Sequence, residues 1–160
     1  MMNTRIGFGF DVHQLKDNKD FWLGGILLDH DKGAIGHSDA DVLIHSICDA
    51  LLGSSNLGDI GSNFPDNSDE FKGIDSKILL SRTVDLIRDK GFEIVNIDST
   101  ICLQSPKIQP YIQKMKIALS NSMVVDVDRI SIKATTTEKL GFVGQEEGVS
   151  AYAIVLIQKK

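Results

Sequence analysis

Val149-Ser150-Ala151-Tyr152-Ala153-Ile154-Val155-Leu156-Ile157 is the stretch that decides the architecture. Successive side chains of a strand point to opposite faces, so Ala151, Ala153 and Val155 share one face and Tyr152, Ile154 and Leu156 the other. Both faces are apolar and both favour burial. Helices can cover only one of them in so small a domain. The second face is then either covered by another copy of the chain or left as exposed apolar surface. Residues 129–134, just upstream, alternate in the ordinary one-sided way.

Working outward from this strand, the periodicity predicts both strands and helices. A strand over residues 6–12 comes first, then a hairpin over residues 21–28 that turns near Gly24-Gly25. A helix over residues 40–52 follows, with Asp39 as its expected cap and Leu43, Ile44, Ile47, Cys48 and Leu51 as its apolar stripe. A second helix, residues 76–90, is capped by Asp75 and stopped by Gly91. A strand over residues 94–103 and a helix over residues 108–120 with Pro110 in its first turn complete the pattern. With no repeat and no linker, residues 1–160 read as one domain with helices on one face of its sheet.

The chain has 160 residues, 42% of them hydrophobic, enough to bury a core without disulfides or a structural metal. No apolar run reaches the roughly 18 residues of a membrane helix, and no basic-then-apolar signal opens the sequence, so no membrane association is expected and a cytoplasmic location is. Cys48 and Cys102, set among apolar neighbours, read as buried free thiols. A formal charge of -5 argues against a nucleic-acid partner. It leaves room for a phosphorylated small molecule if metals supply local positive charge.

Asp11-Val12-His13 lies in the first strand, where side chains at i and i+2 point the same way. One carboxylate and one imidazole there, with His45 from the first helix, make a three-ligand set of the kind that holds catalytic zinc and leaves a fourth position open. The plainer alternative is a hydrogen-bonded Asp–His pair on a strand and a histidine on a helix surface. Asp41 and Asp49 flank His45 at i−4 and i+4, where a carboxylate could accept a ring N–H and fix the tautomer. Residues 54–75 are rich in turn formers, and Gly58 and Gly61 bracket Asp59-Ile60; this is either a binding loop or a disordered excursion. Thr135-Thr136-Thr137-Glu138 is either a simple strand end or a group of hydroxyls and a carboxylate able to hold hydrated Mg²⁺ against phosphates.

Gly36-His37-Ser38-Asp39-Ala40-Asp41, Leu57-Gly58-Asp59-Ile60-Gly61, Phe64-Pro65-Asp66 and Lys133-Ala134-Thr135-Thr136-Thr137-Glu138-Lys139-Leu140-Gly141-Phe142 occur in that order after the Asp11-Val12-His13 strand. Together they resemble the 2-C-methyl-D-erythritol 2,4-cyclodiphosphate synthase family, from about Arg5 to the last strand. The resemblance implies a homotrimer of α+β subunits, each a mixed β-sheet with helices on one face, whose sheets pack around a threefold axis, with active sites between neighbours. It implies Zn²⁺ on Asp11, His13 and His45, a second metal, Mg²⁺ or Mn²⁺, on Glu138, and His37 with Thr136 steadying the phosphoryl group in transit.

Substrate contacts are implied for Asp11, Val12, His13, His37 and Ser38, and for Thr135, Thr136, Thr137 and Glu138. The methylerythritol and a phosphate would meet Asp59, Ile60 and Gly61 with Phe64, Pro65, Asp66, Asn67 and Ser68. Cytidine would meet Leu103, Gln104, Ser105, Pro106 and Lys107 with Ile108 and Gln109, where this last pair departs from the commoner two hydrophobic residues. Phe142 and Gln145 complete the implied set. Gln145 stands where arginine is common and Phe8 where histidine is frequent, which implies only weak binding of an isoprenoid diphosphate in a central cavity. The implied reaction converts 4-diphosphocytidyl-2-C-methyl-D-erythritol 2-phosphate to the cyclic diphosphate and CMP. A metal-dependent phosphohydrolase and a non-catalytic trimeric ligand-binding module are the rival readings.

Overall fold

The computed structural model describes residues 3–65 and 69–160. Its elements are β1 (Thr4–Asp17), β2 (Phe21–Leu23), β3 (Ile26–Leu28), β4 (Lys32–Ile35), α1 (Val42–Ser54), α2 (Ile60–Asn63), α3 (Ser76–Asp89), β5 (Phe92–Cys102), α4 (Ile112–Met123), β6 (Ile130–Thr135), α5 (Gly141–Gly144) and β7 (Gly148–Lys159). Five strands form one sheet in the order β4-β1-β7-β5-β6, and β2 pairs with β3 apart from it. Among the described residues only β5 and β6 pair in parallel. The sheet is therefore mixed, as expected.

The apolar strand β7 sits at the centre because both its edges and both its faces need cover. Val149, Ala151, Ala153, Val155 and Ile157 point to the helical layer and are almost fully buried. On the opposite face Tyr152 and Ile154 join Ile6, Phe8, Phe10 and Val12 of β1, and these six remain 39 to 73% exposed. The Tyr152 ring lies 5.0 Å from that of Phe10 and 6.4 Å from that of Phe8, so the patch is continuous. In the register, Asp11 pairs with Ala151, Ala151 with Ile101 and Ile101 with Ala134, so the carboxyl ends of β1, β5 and β6 emerge on one edge.

Helix α1 is the core of the helical layer; Leu43, Ile44, Ile47, Cys48, Leu51 and Leu52 are inaccessible. Burial pushes the Cys48 thiol up to about 12, which suits an inert core thiol. Cys48 and Cys102 are both free as expected, but Cys102, at the end of β5, is only partly buried. Helix α1 lies against β1 without intervening side chains. A Cβ on Gly7 would sit 1.9 Å from the Ala50 carbonyl oxygen, and one on Gly9 the same distance from that of Ser46.

The expected cap of α1 is corrected from Asp39 to Asp41, and the helix starts at Val42 rather than residue 40. Ala40 has φ +58, which interrupts the helical path before Asp41. Fully buried Asp41 accepts from Ile44 N at 3.0 Å, Gly24 N at 3.0 Å and Gly25 N at 2.7 Å. It ties the β2–β3 turn to the helix start, a turn in which Gly24 and Gly25 both adopt positive φ. Asp41→Ala leaves three N–H groups without acceptors. Loss of the cap and of two buried bonds should cost about 3 kcal/mol, read as a lowered urea midpoint at fixed protein concentration.

Other boundaries moved modestly. Strand β1 continues to Asp17 because β4 extends its pairing beyond Gln14. The helix expected over residues 108–120 is a 3-10 turn, Gln109–Tyr111, followed by α4, since Pro110 suits only the first turn. Residues 76–90 behave as read, with Asp75 accepting from Lys77 N and Gly91 at φ +79. The loop over residues 54–75 contains α2 and a 3-10 turn, Asp69–Phe71.

Candidate metal and substrate site

Gly7, Gly9, Asp11 and His13 share one face of β1, the face that meets α1. The two glycines let the helix close onto the strand, and the next two residues then meet the helix side chain that arrives there, His45. His13 Nε2 lies 2.9 Å from Asp11 Oδ2, His45 Nδ1 lies 3.0 Å from the same oxygen, and the two nitrogens are 3.0 Å apart. Three potential ligand atoms thus form a nearly equilateral triangle. Donors about 2.0 to 2.1 Å from a tetrahedral zinc stand roughly 3.3 Å from one another, so this triangle fits such an ion with little adjustment. Among the described residues, Asp11, His13 and His45 are the cluster able to hold a metal. Partial burial alone would raise the Asp11 pKa, yet the His13 and His45 imidazoles beside it outweigh that effect. Its carboxyl is held well below the usual carboxylate range, ready as an anionic ligand.

The residues that orient His45 differ from those expected. Asp41 spends its carboxylate on backbone groups, and Asp49 Oδ1 accepts from Ile60 N at 3.2 Å. Helical spacing placed both beside His45, but each finds a nearer donor. His45 Nε2 instead lies 3.0 Å from Ser38 Oγ and 3.0 Å from Ser76 Oγ. Ser76 Oγ in turn donates to Asp39 Oδ1, while Asp39 Oδ2 accepts from Ser76 N at 3.0 Å. Sequence spacing could not reveal Ser76, which stands 31 positions from His45 and reaches it only because α3 packs beside α1.

The triad opens into a cleft of about 320 Å³ lined by His13, His37, Ser38, His45, Ile60, Gly61, Phe64, Phe71 and Leu79. Two expected groups, the segment before α1 and the start of α2, are therefore brought together with the triad. Phe71 and Leu79 were not foreseen; Phe71 meets Phe64 edge to face, ring centres 5.6 Å apart, and forms an apolar wall. Asp59 caps α2, its carboxylate accepting from Ser62 N at 2.7 Å, and the Ser62 hydrogen bonds lower its pKa. Pro65 ends a described stretch, and Asp66, Asn67 and Ser68 lie outside the described residues.

A second group assembles at the carboxyl ends of β5 and β6. Leu103 N donates to Thr135 O at 3.0 Å, and Lys139 N to Gln104 Oε1 at 3.3 Å. Thr136 Oγ1 donates to Glu138 Oε1 at 3.2 Å, and Glu138 itself has φ +53. Ser105, Pro106 and Lys107 belong to the same loop, which contains a cis Ser105–Pro106 bond, and Gln109 opens the 3-10 turn that follows it. Leu103 and Ile108 bury their side chains in the core, leaving backbone for any ligand. None of these residues lines the triad cleft; β7 lies between β1 and β5. Val12 points to the exposed outer face, away from the triad. Gln145 donates to Lys139 O at 2.9 Å and borders a separate groove with Lys16 and Lys32, while Phe142 is partly exposed over Gly148.

A mixed sheet backed by helices, with an Asp/His/His cluster where β1 meets α1, defines a class: the chain belongs to the YgbB family, whose model matches residues 4–158. It is similar to 2-C-methyl-D-erythritol 2,4-cyclodiphosphate synthase of Bacteroides fragilis, 62% identical over 158 residues and covering 99% of each chain. The same enzyme of Cytophaga hutchinsonii is 56% identical over 158 residues, 99% of both chains. Among solved structures, Plasmodium falciparum IspF in complex with CDP superposes with TM-score 0.87 at 34% identity, over 99% of this chain and 97% of that one. The bifunctional IspDF of Campylobacter jejuni superposes with TM-score 0.96 at 41% identity; this chain is fully covered and spans 43% of that longer one. Among the described residues no helix is long and apolar enough to cross a membrane.

Proposed function

We propose that the chain is a cyclodiphosphate synthase, a phosphorus–oxygen lyase acting as one catalytic domain over residues 1–160. It converts 4-diphosphocytidyl-2-C-methyl-D-erythritol 2-phosphate to 2-C-methyl-D-erythritol 2,4-cyclodiphosphate and CMP. The observation that carries this reading is the triangle of Asp11, His13 and His45 opening into a cleft, in a chain 62% identical to a synthase of that name. Asp11, His13 and His45 hold Zn²⁺, and Glu138 holds Mg²⁺ or Mn²⁺. When bound, such ions neutralise phosphate charge and polarise phosphorus.

An oxygen of the 2-phosphate attacks the β-phosphorus of the diphosphate. The bond from that phosphorus to its bridging oxygen breaks, and the oxygen leaves with CMP. No water is consumed and no protein nucleophile is needed. The chain contributes position. His37 and Ser38 stand at the entrance to α1 and meet the diphosphate, while Ile60, Gly61 and Phe64 hold the methylerythritol; Thr136 steadies the phosphoryl group as it moves. Residues 103–109 bind cytidine. Holding both ends of one substrate in an attack conformation is worth roughly 7 to 11 kcal/mol.

Supporting a homotrimer are two observations: the six-residue apolar patch on the outer sheet face, and the separation of the two site groups within one chain. A neighbouring copy covers the patch and brings its residues 103–109 and 135–138 to the triad. The enzyme is cytoplasmic, and it binds isoprenoid diphosphates in the axial cavity only weakly because Gln145 carries no charge. Mixed trimers of Asp11→Asn and Lys107→Ala subunits should therefore regain activity that neither parent shows. No recovery after verified subunit exchange would mean that one chain builds the whole site. The phosphohydrolase alternative is separated by product mass, since a linear product exceeds the cyclic one by one water.

A further inference from the structure

Ser76 and Asp39 form a chain of hydrogen bonds behind His45 whose polarity follows from its end group. Asp39 carries a carboxylate, which accepts and has no proton to give. It takes Ser76 N at 3.0 Å and Asp41 N at 3.2 Å, and it also takes the Ser76 hydroxyl. The single proton of Ser76 Oγ is thereby committed to Asp39. What Ser76 Oγ presents to His45 Nε2, 3.0 Å away, is a lone pair. Ser76 is fully buried, so water does not compete for that position. Ser38 Oγ, also 3.0 Å from Nε2, accepts from Ala40 N at 3.2 Å and lies 3.4 Å from Ser76 Oγ, to which it can give its own proton.

The structure assigns Ser76 and Asp39 as positioning residues that fix the tautomer of His45. Nε2 must carry the hydrogen in order to meet the Ser76 lone pair, and a neutral imidazole carries only one. Nδ1, the atom 3.0 Å from Asp11 Oδ2 and from His13 Nε2, is then the bare nitrogen facing the centre of the triad, and in the metal-free protein the hydrogen shared there comes from His13 Nε2, 2.9 Å from Asp11 Oδ2. The relay also explains why a buried serine opens α3: the first residue of that helix reaches the side chain in the first turn of α1 that must be held. The inference rests on the reading of His45 as a metal ligand, but its first readout does not require the metal.

Nitrogen-15 NMR of labelled, metal-free protein at mildly alkaline pH reports directly which His45 nitrogen bears hydrogen. The expected spectrum shows protonated Nε2 and bare Nδ1 for His45, and a mixture of the two neutral forms in Ser76→Ala. Chelator competition should show zinc affinity reduced about 10- to 100-fold in Ser76→Ala, with an altered visible spectrum of the Co²⁺ form. Thermal unfolding of the metal-free variant confirms that it is folded. A wild-type His45 protonated at Nδ1 would overturn the assignment, and so would a Ser76→Ala protein with unchanged tautomer and zinc affinity. Wild-type protein that shows the expected tautomer yet binds no zinc would instead overturn the metal-site reading and leave the relay standing.

Discussion

The His45→Ala protein is expected to purify without zinc and to lose about a thousandfold or more of turnover, the equivalent of at least about 4 kcal/mol of transition-state stabilisation. Three protein ligands leave no spare one. Asp11 and His13 remain adjacent on β1, but two ligands do not hold a catalytic zinc against dilution. The fold should persist, because the apolar stripe of α1 is buried independently of this side chain. Elemental analysis and circular dichroism check the two halves of the expectation. Glu138→Gln should differ in kind, keeping zinc and recovering part of its activity at high Mg²⁺ or Mn²⁺. A His45→Ala protein with full zinc content would remove the site from its proposed place.

Gly9→Ala should be nearly as damaging although it touches no ligand. The added Cβ would lie 1.9 Å from Ser46 O and 2.7 Å from Ala50 N, both backbone atoms of α1 that cannot rotate aside. The helix must lift from β1, losing packing along its length at a cost of about 4 kcal/mol or more. It carries His45 with it, so zinc affinity and unfolding midpoint should fall together. A Gly9→Ala protein as stable as the parent and with normal zinc content would show that the close approach of strand and helix does not build the triad.

Periodicity exposed most of this architecture because each signal was local. The two apolar faces of β7, the Gly24-Gly25 turn and the Asp75 cap each follow from neighbours in sequence, and each stands where expected. The triad was legible for the same reason on β1, where Asp11 and His13 obey strand alternation. Long-range choices were not. Asp41 rather than Asp39 caps α1 because a turn 16 to 17 positions upstream offers it two more donors. Ser76 reaches His45 and Leu79 reaches the cleft only through the packing of α3 against α1, and Phe71 reaches it from the 3-10 turn before α3, none of which any spacing along the chain encodes. The grouping of residues 103–109 with 135–138 required the parallel pairing of β5 with β6.

Phosphorus NMR of the purified protein with 4-diphosphocytidyl-2-C-methyl-D-erythritol 2-phosphate, Zn²⁺ and Mg²⁺ tests the central claim most directly. Two coupled diphosphate resonances of a cyclic product should grow in step with the singlet of CMP, and neither should form with the His45→Ala protein. Uncoupled resonances of linear phosphates accompanying CMP, or an unchanged substrate spectrum with zinc bound, would contradict cyclisation as the activity of this chain.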